Sequence, residues 1–115
     1  MKKFILVIMF LLIAVPLSAE IQGLSSGEKT ADALIKTGSG YFLGIIVMPD
    51  GTNDVTISSY DNTAGSGTEF LPTLLIPGDG GPYVLMMPSA LEVRNGIYID
   101  ITLGAGTVAY AIITN

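Results

Sequence analysis

Carboxylates are the only side chains in this sequence with an evident capacity for chemistry. The 115 residues include ten Asp and Glu but no His and no Cys. Without cysteine there is no thiolate nucleophile, no disulfide and no thiolate-held zinc or iron–sulfur site. Without histidine the commonest general base and transition-metal ligand are missing. Two options remain: acid–base work by paired carboxylates, as on glycosidic bonds, and cation binding by an oxygen-rich loop. Asp54, Asp61, Glu69 and Asp100 are the candidates for the first. A catalytic acid needs a desolvated pocket to raise its pKa, and no neighbouring residues signal one. Asp100 sits mid-strand opposite an aliphatic wall, where a polar outward face accounts for it. For the second option, residues 50–54 (DGTND) carry oxygen ligands, but a calcium loop needs them at alternating positions with a bidentate carboxylate further on. A hydrophobic strand starts at Val55 instead. An ordinary turn is expected there, and Asp61, Glu69 and Asp79 read as solvated loop charges. The glycine-rich loops lack the lysine and the following helix of a phosphate-binding loop. The sequence predicts no catalytic residue, no metal site and no cofactor: a non-enzymatic chain.

The aromatic residues suggest contact rather than catalysis. Tyr41, Tyr60, Tyr83, Tyr98 and Tyr110 are the candidate interface residues, because a tyrosine offers an apolar body with a wet tip. They could serve a sugar or a protein partner. Packing along strand edges or capping the core is the plainer role for the same side chains.

These residues need elements to hold them, and the clearest is 95–103 (NGIYIDITL). Asn-Gly is the strongest short turn signal, since both residues tolerate positive φ. Ile97, Ile99, Ile101 and Leu103 then alternate with Tyr98, Asp100 and Thr102, the period of a strand with one buried face. Further strands are expected at 31–36, 41–48, 54–61, 70–76, 83–87, 91–93 and 108–114. The run 41–48 (YFLGIIVM) is apolar at both parities. It marks a central strand covered on both sides, or one whose outer face joins an interface. Gly44 within it suggests a bulge or a close backbone approach, and Pro72 an edge strand or a bulge. About eight short strands separated by small turns predict an all-β, single antiparallel β-sandwich, jelly-roll or immunoglobulin-like. The expected core is Leu34, Phe42, Ile45, Val47, Val55, Ile57, Leu74, Ile76, Leu85, Leu91, Val93, Ile97, Ile99, Ile101, Val108 and Ile112.

Before this domain, residues 1–19 have the three parts of an export signal: Lys2 and Lys3, the apolar run 4–15, then Pro16, Leu17, Ser18 and Ala19. Twelve apolar residues are short for a membrane span of about 20. Cleavage after Ala19 is expected, with an uncleaved N-terminal helix anchored in the membrane as the alternative. The organisation expected is thus a signal over 1–19, a flexible lead-in over 20–30 and a sandwich over 31–115, exported to the periplasm, the medium or a virion. Loss of 1–19 leaves three bases (Lys29, Lys36, Arg94) against ten acids, a net charge of −7. So acidic a surface repels phosphate backbones and excludes nucleic acid as a partner.

Three segments, DGTNDVTI (50–57), YDNTAGSGT (60–68) and NGIYIDI (95–101), resemble in order and spacing a family of small all-β structural proteins of tailed bacteriophages and prophages. That family carries a "YDN…SGT" loop after a strand and a "NGIYVD" turn-strand near its end. The resemblance runs from Ala31 to the carboxyl terminus. It implies a capsid decoration or tail-associated virion protein, acting through protein partners and self-association and bringing no catalytic residues. The competing expectation is an exported bacterial binding or adhesion domain that recognises carbohydrate or a surface protein through its tyrosines.

Overall fold

Eight strands follow one another in a computed structural model that describes residues 23–115. They are β1 (Leu24–Ser25), β2 (Ala33–Thr37), β3 (Gly40–Pro49), β4 (Val55–Tyr60), β5 (Glu69–Ile76), β6 (Tyr83–Val93), β7 (Gly96–Leu103) and β8 (Val108–Thr114). The expected export helix lies outside the described residues.

The strands form two four-stranded antiparallel sheets, β1-β8-β3-β6 and β2-β7-β4-β5. The pairs β1–β8, β2–β7, β3–β6 and β4–β5 are those of one long antiparallel ribbon whose two arms run side by side. Folding that ribbon over adds the contacts β3–β8 and β4–β7. An immunoglobulin sandwich keeps its first two strands in one sheet; here β1 and β2 lie in different sheets. The expected lead-in contributes to the sandwich from Leu24 onward. Ser26 donates its amide to Ile112 O and Lys29 exchanges two backbone bonds with Tyr110.

The two inner faces enclose Phe42, Ile45, Val47, Val55, Ile57, Leu71, Ile76, Val93, Ile97, Ile99, Val108, Tyr110 and Ile112. Leu74, Leu85, Leu91 and Ile101, also expected in the core, are half-buried against it. Leu34 is a correction: it is 46 % exposed. It pairs with Tyr98 on the outer face, and a bulge between Leu34 and Lys36 lets Ile35 pack inward instead.

Bulges set which side chains reach the core. Leu43 is an extra residue against β8, since Phe42 faces Thr114 while Gly44 faces Ile113. The skip reverses the alternation, so Phe42 and Ile45 both point inward despite their odd spacing. Gly44 is where the backbones crowd: a Cβ would lie 2.4 Å from Met86 Sδ and 2.8 Å from Leu85 O. Across β6, Phe42 faces Leu91 and Gly44 faces Met86, so residues 87–90 bow out. The two short strands expected at 83–87 and 91–93 are therefore one interrupted edge strand. Pro72 lies on the edge strand β5, in a bulge where Pro72 and Thr73 face Ser58.

The Asn95-Gly96 turn joins β6 to β7 as expected, but no non-glycine residue among the described ones has positive φ, so Asn95 does not adopt it. Glycine is required at 96 by proximity. A Cβ there would stand 2.6 Å from Lys36 O and 2.9 Å from Asn62 O.

Candidate interaction surfaces

Four of the carboxylates, Asp32, Asp50, Asp54 and Asp61, serve the backbone. Asp50 accepts hydrogen bonds from the amides of Thr52 and Asn53 (both 2.8 Å) and Thr107 (3.2 Å), and from Asn53 Nδ2 (2.8 Å). These donors, led by the Asn53 amide, hold its pKa far below the usual carboxylate range. A carboxylate surrounded by N–H groups closes a turn and pins the β7–β8 loop to it. Asp61, expected as a solvated loop charge, is half-buried and organises the β6–β7 turn. It accepts from the amides of Asn95 (2.8 Å), Arg94 (3.0 Å) and, at longer range, Gly96 (3.4 Å). The Asn95 amide is the leading cause of its lowered pKa, with the Arg94 charge adding to it. Asp54 accepts from Gly78 N at 3.0 Å, tying the β3–β4 and β5–β6 loops together. Asp32 accepts from Ile101 N at 2.7 Å.

Glu69 and Asp100 stand on opposite sides of β4, on the outer face of β2-β7-β4-β5. Glu69 faces Tyr60 and Asp100 faces Ser58. Thr73 Oγ1 donates to Glu69 at 3.0 Å and lies 3.4 Å from Ser58 Oγ. None of the four candidate carboxylates is hydrogen-bonded to another, and each side-chain bond given above is to an amide or a hydroxyl.

The five tyrosines divide among three places. Tyr60 and Tyr98 are direct cross-strand partners on β4 and β7, on the same outer face as Asp100. The 61–68 loop folds against Tyr98, where a Cβ at Gly65 would lie 3.1 Å from the ring. Tyr110 is buried, and its hydroxyl donates to Ala31 O at 2.5 Å. Burial, aided by the negative charge of Asp32, pushes its pKa up to about 12. Tyr83 is half-buried against the core opposite Val47, and Tyr41 is exposed at the start of β3 beside Glu92. One common tyrosine face does not form, and the pair Tyr60–Tyr98 is what the fold brings together.

The largest departure from an ordinary water-facing surface is the outer face of the other sheet. Ile46 and Met48 on β3 and Val84 and Met86 on β6 point outward and are 42 % to 57 % exposed. Register makes them neighbours. Val84, Ile46 and Ala111 form one row; Met86, Gly44 and Ile113 form the next; Met48 pairs with Ala109. Met86 closes over Gly44, which has no side chain to resist it. Over β8, whose outward residues here are alanines, lies a depression of about 200 Å³ bounded by Ile46, Met48, Ala109, Ala111 and Glu28. An antiparallel sheet normally turns polar residues to water on its outer face. The sequence marked half of this surface through the two-sided run 41–48. Val84 and Met86 escaped notice, although YVLMM (83–87) carries the same signal of apolar residues at both parities.

No protein-family model matches the chain, and no curated protein or solved structure matches it either.

Proposed function

We propose that this protein is a non-enzymatic structural module that works by presenting a sheet face to other proteins in an assembly, in the manner of a small virion decoration or tail-associated protein. The observation that carries the reading is the apolar stretch of the outer face of β3, β6 and β8 around Ile46, Met48, Val84 and Met86. Exposed apolar rows of this kind, rimmed by polar residues, mark protein-contact sites. Two further features support it. Asp50, Asp54 and Asp61 are engaged by backbone amides, which leaves them as fasteners of loops rather than acids or bases. The ribbon-like strand order is that of a jelly roll, an architecture used by capsid and lectin domains. We also propose export, with loss of residues 1–19, so that the assembly forms outside the cytoplasm. The test is mass spectrometry of particles and of the exported fraction. Residues 20–115 found as a stoichiometric component of a purified particle supports the role; absence from every particle, together with a full-length chain free in the cytoplasm, overturns both parts.

A second reading has its own observation. Tyr60 and Tyr98 lie side by side with Asp100 and Ser58 in the next row, an apolar platform beside hydrogen-bonding groups that suits a sugar ring. An exported carbohydrate-binding domain would show saturable glycan binding lost in Tyr98→Ala. Binding unaffected by that change removes this reading.

A further inference from the structure

We infer that the partner for the apolar face is a second copy of this chain, the two packing outer face to outer face. The inference rests on the assembly reading above and names its partner.

Shape is the first reason. A two-fold contact needs one patch that fits itself, each residue i meeting j while j meets i. This face has both halves of such a fit. Ile46, Met48, Val84 and Met86 form a ridge along β3 and β6, and the alanines of β8 leave a furrow of about 200 Å³ beside it. Turned about a two-fold axis that lies in the plane of the contact and runs parallel to the strands between ridge and furrow, the ridge of one copy enters the furrow of the other. Methionines at two of the four ridge positions help, because their unbranched thioethers adapt to an irregular groove.

Charge is the second reason. The full chain carries a net charge of −5, so two copies repel at most orientations. The face formed by Ile46, Met48, Val84, Met86, Ala109, Ala111 and Ile113 has no charged side chain. Glu28 lines one wall of the furrow, and Glu92 stands at the end of the face opposite Tyr41. Contact through this face brings the fewest like charges together, and salt strengthens it by screening those at the rim.

Area sets the strength. Six residues of β3 at about 3.4 Å each and three strands about 4.8 Å apart give a patch of roughly 300 Å² in projection. A standard interface takes about 800 Å² per partner. The patch is thus the centre of a small contact, with a Kd on the order of 10 µM. Such a dimer is reversible in solution and gains from the multiple contacts of an array.

Sedimentation velocity on the full chain tests this, from low concentration up to roughly 100 µM, above the expected Kd. The wild type is expected to shift from monomer to dimer, more readily in high salt. Ile46→Lys and, separately, Val84→Lys are expected to weaken the dimer about tenfold or more, because each places an unpaired charge at its centre. Leu75→Lys, an exposed change on the opposite sheet, leaves the dimer intact, and circular dichroism confirms that all variants fold. A wild type that stays monomeric throughout, or a dimer indifferent to both Ile46→Lys and Val84→Lys, overturns the inference. Particle proteomics judges the assembly reading separately: a monomer that is nonetheless a particle component refutes self-pairing and spares the broader role.

Discussion

Phe42 and Phe70 meet across the sandwich with ring centroids 5.2 Å apart and planes inclined at 55°. Phe42 comes from β3 in one sheet and Phe70 from β5 in the other, so their tilted contact joins the two layers at one point. Aromatic pairs prefer such tilted packing over a flat stack. Phe42 is fully buried and Phe70 only partly. Phe42→Ala is therefore expected to cost about 3–5 kcal/mol. Phe70→Ala should cost less, since water can enter the space it leaves. Urea denaturation of the two variants checks the order; equal midpoints would deny Phe42 its place at the centre of the core.

Gly44 supplies a steric prediction. Gly44→Ala places a methyl group against Met86 Sδ and Leu85 O. The thioether can swing away, but the carbonyl belongs to the β6 backbone and cannot do so without disturbing the ladder. A loss of about 1–3 kcal/mol is expected. Gly104→Ala is the control, because nothing lies within 4 Å of its Cβ position. If both substitutions are equally tolerated, the close approach of β3 and β6 is not as described.

The strand plan was legible in the sequence because hydrophobic alternation and glycine or proline turns report local geometry. The alternation of 95–103 located β7, and Pro72 pointed to an edge strand. Phase was harder. A bulge shifts the inward parity by one residue, and the two apolar neighbours Leu34 and Ile35 give no sign of which one faces the core. Long-range bonds were hidden altogether. Asp61 looks like a loop charge until the fold brings Arg94, Asn95 and Gly96 to its carboxylate. Burial of Tyr110 likewise depends on Lys29 and Ala31 crossing β8, and that segment resembles a linker by composition. The tyrosine face was inferred from residue type alone, and register divides it.

Asp50 and Asp61 make the fold sensitive to acid. Both have folded-state pKa values below the ordinary carboxylate value of about 3.8. A depressed carboxylate stabilises the native state above its unfolded pKa and loses that contribution as pH falls through the folded one. Stability should therefore be level near neutrality and decline below about pH 4. Asp61→Asn keeps one acceptor oxygen but loses the charge that strengthens three amide bonds. A cost of about 1–2 kcal/mol at pH 7 is expected, shrinking at lower pH. A variant that loses as much at pH 3 as at pH 7 would contradict the assignment.

Tyr110 predicts the opposite limb. Its folded pKa is raised from 10.0 to about 12. The neutral phenol is thus favoured by folding, and its contribution is complete below about pH 10 and declines as pH rises from there through about 12. Tyr110→Phe removes both the bond to Ala31 and the ionisation. It should be less stable than wild type by about 1 kcal/mol at pH 7, with the gap closing at alkaline pH. Thermal denaturation at pH 7 and pH 11 decides; a gap that widens with pH would show that Tyr110 is not the alkaline-sensitive group.

The claim that the outer face of β3, β6 and β8 is the working surface is tested most directly by its own methionines. Met48 and Met86 lie exposed on it, whereas Met87 is turned towards the core and serves as an internal reference. Peroxide oxidises accessible thioethers at a rate that follows exposure. Peptide mass spectrometry of the protein, dilute and then concentrated or in purified particles, reads each site separately. The account predicts that oxidation of Met48 and Met86 slows severalfold together on assembly while Met87 keeps its rate. Unchanged oxidation of Met48 and Met86 in a demonstrated assembly would place the contact elsewhere and contradict the account.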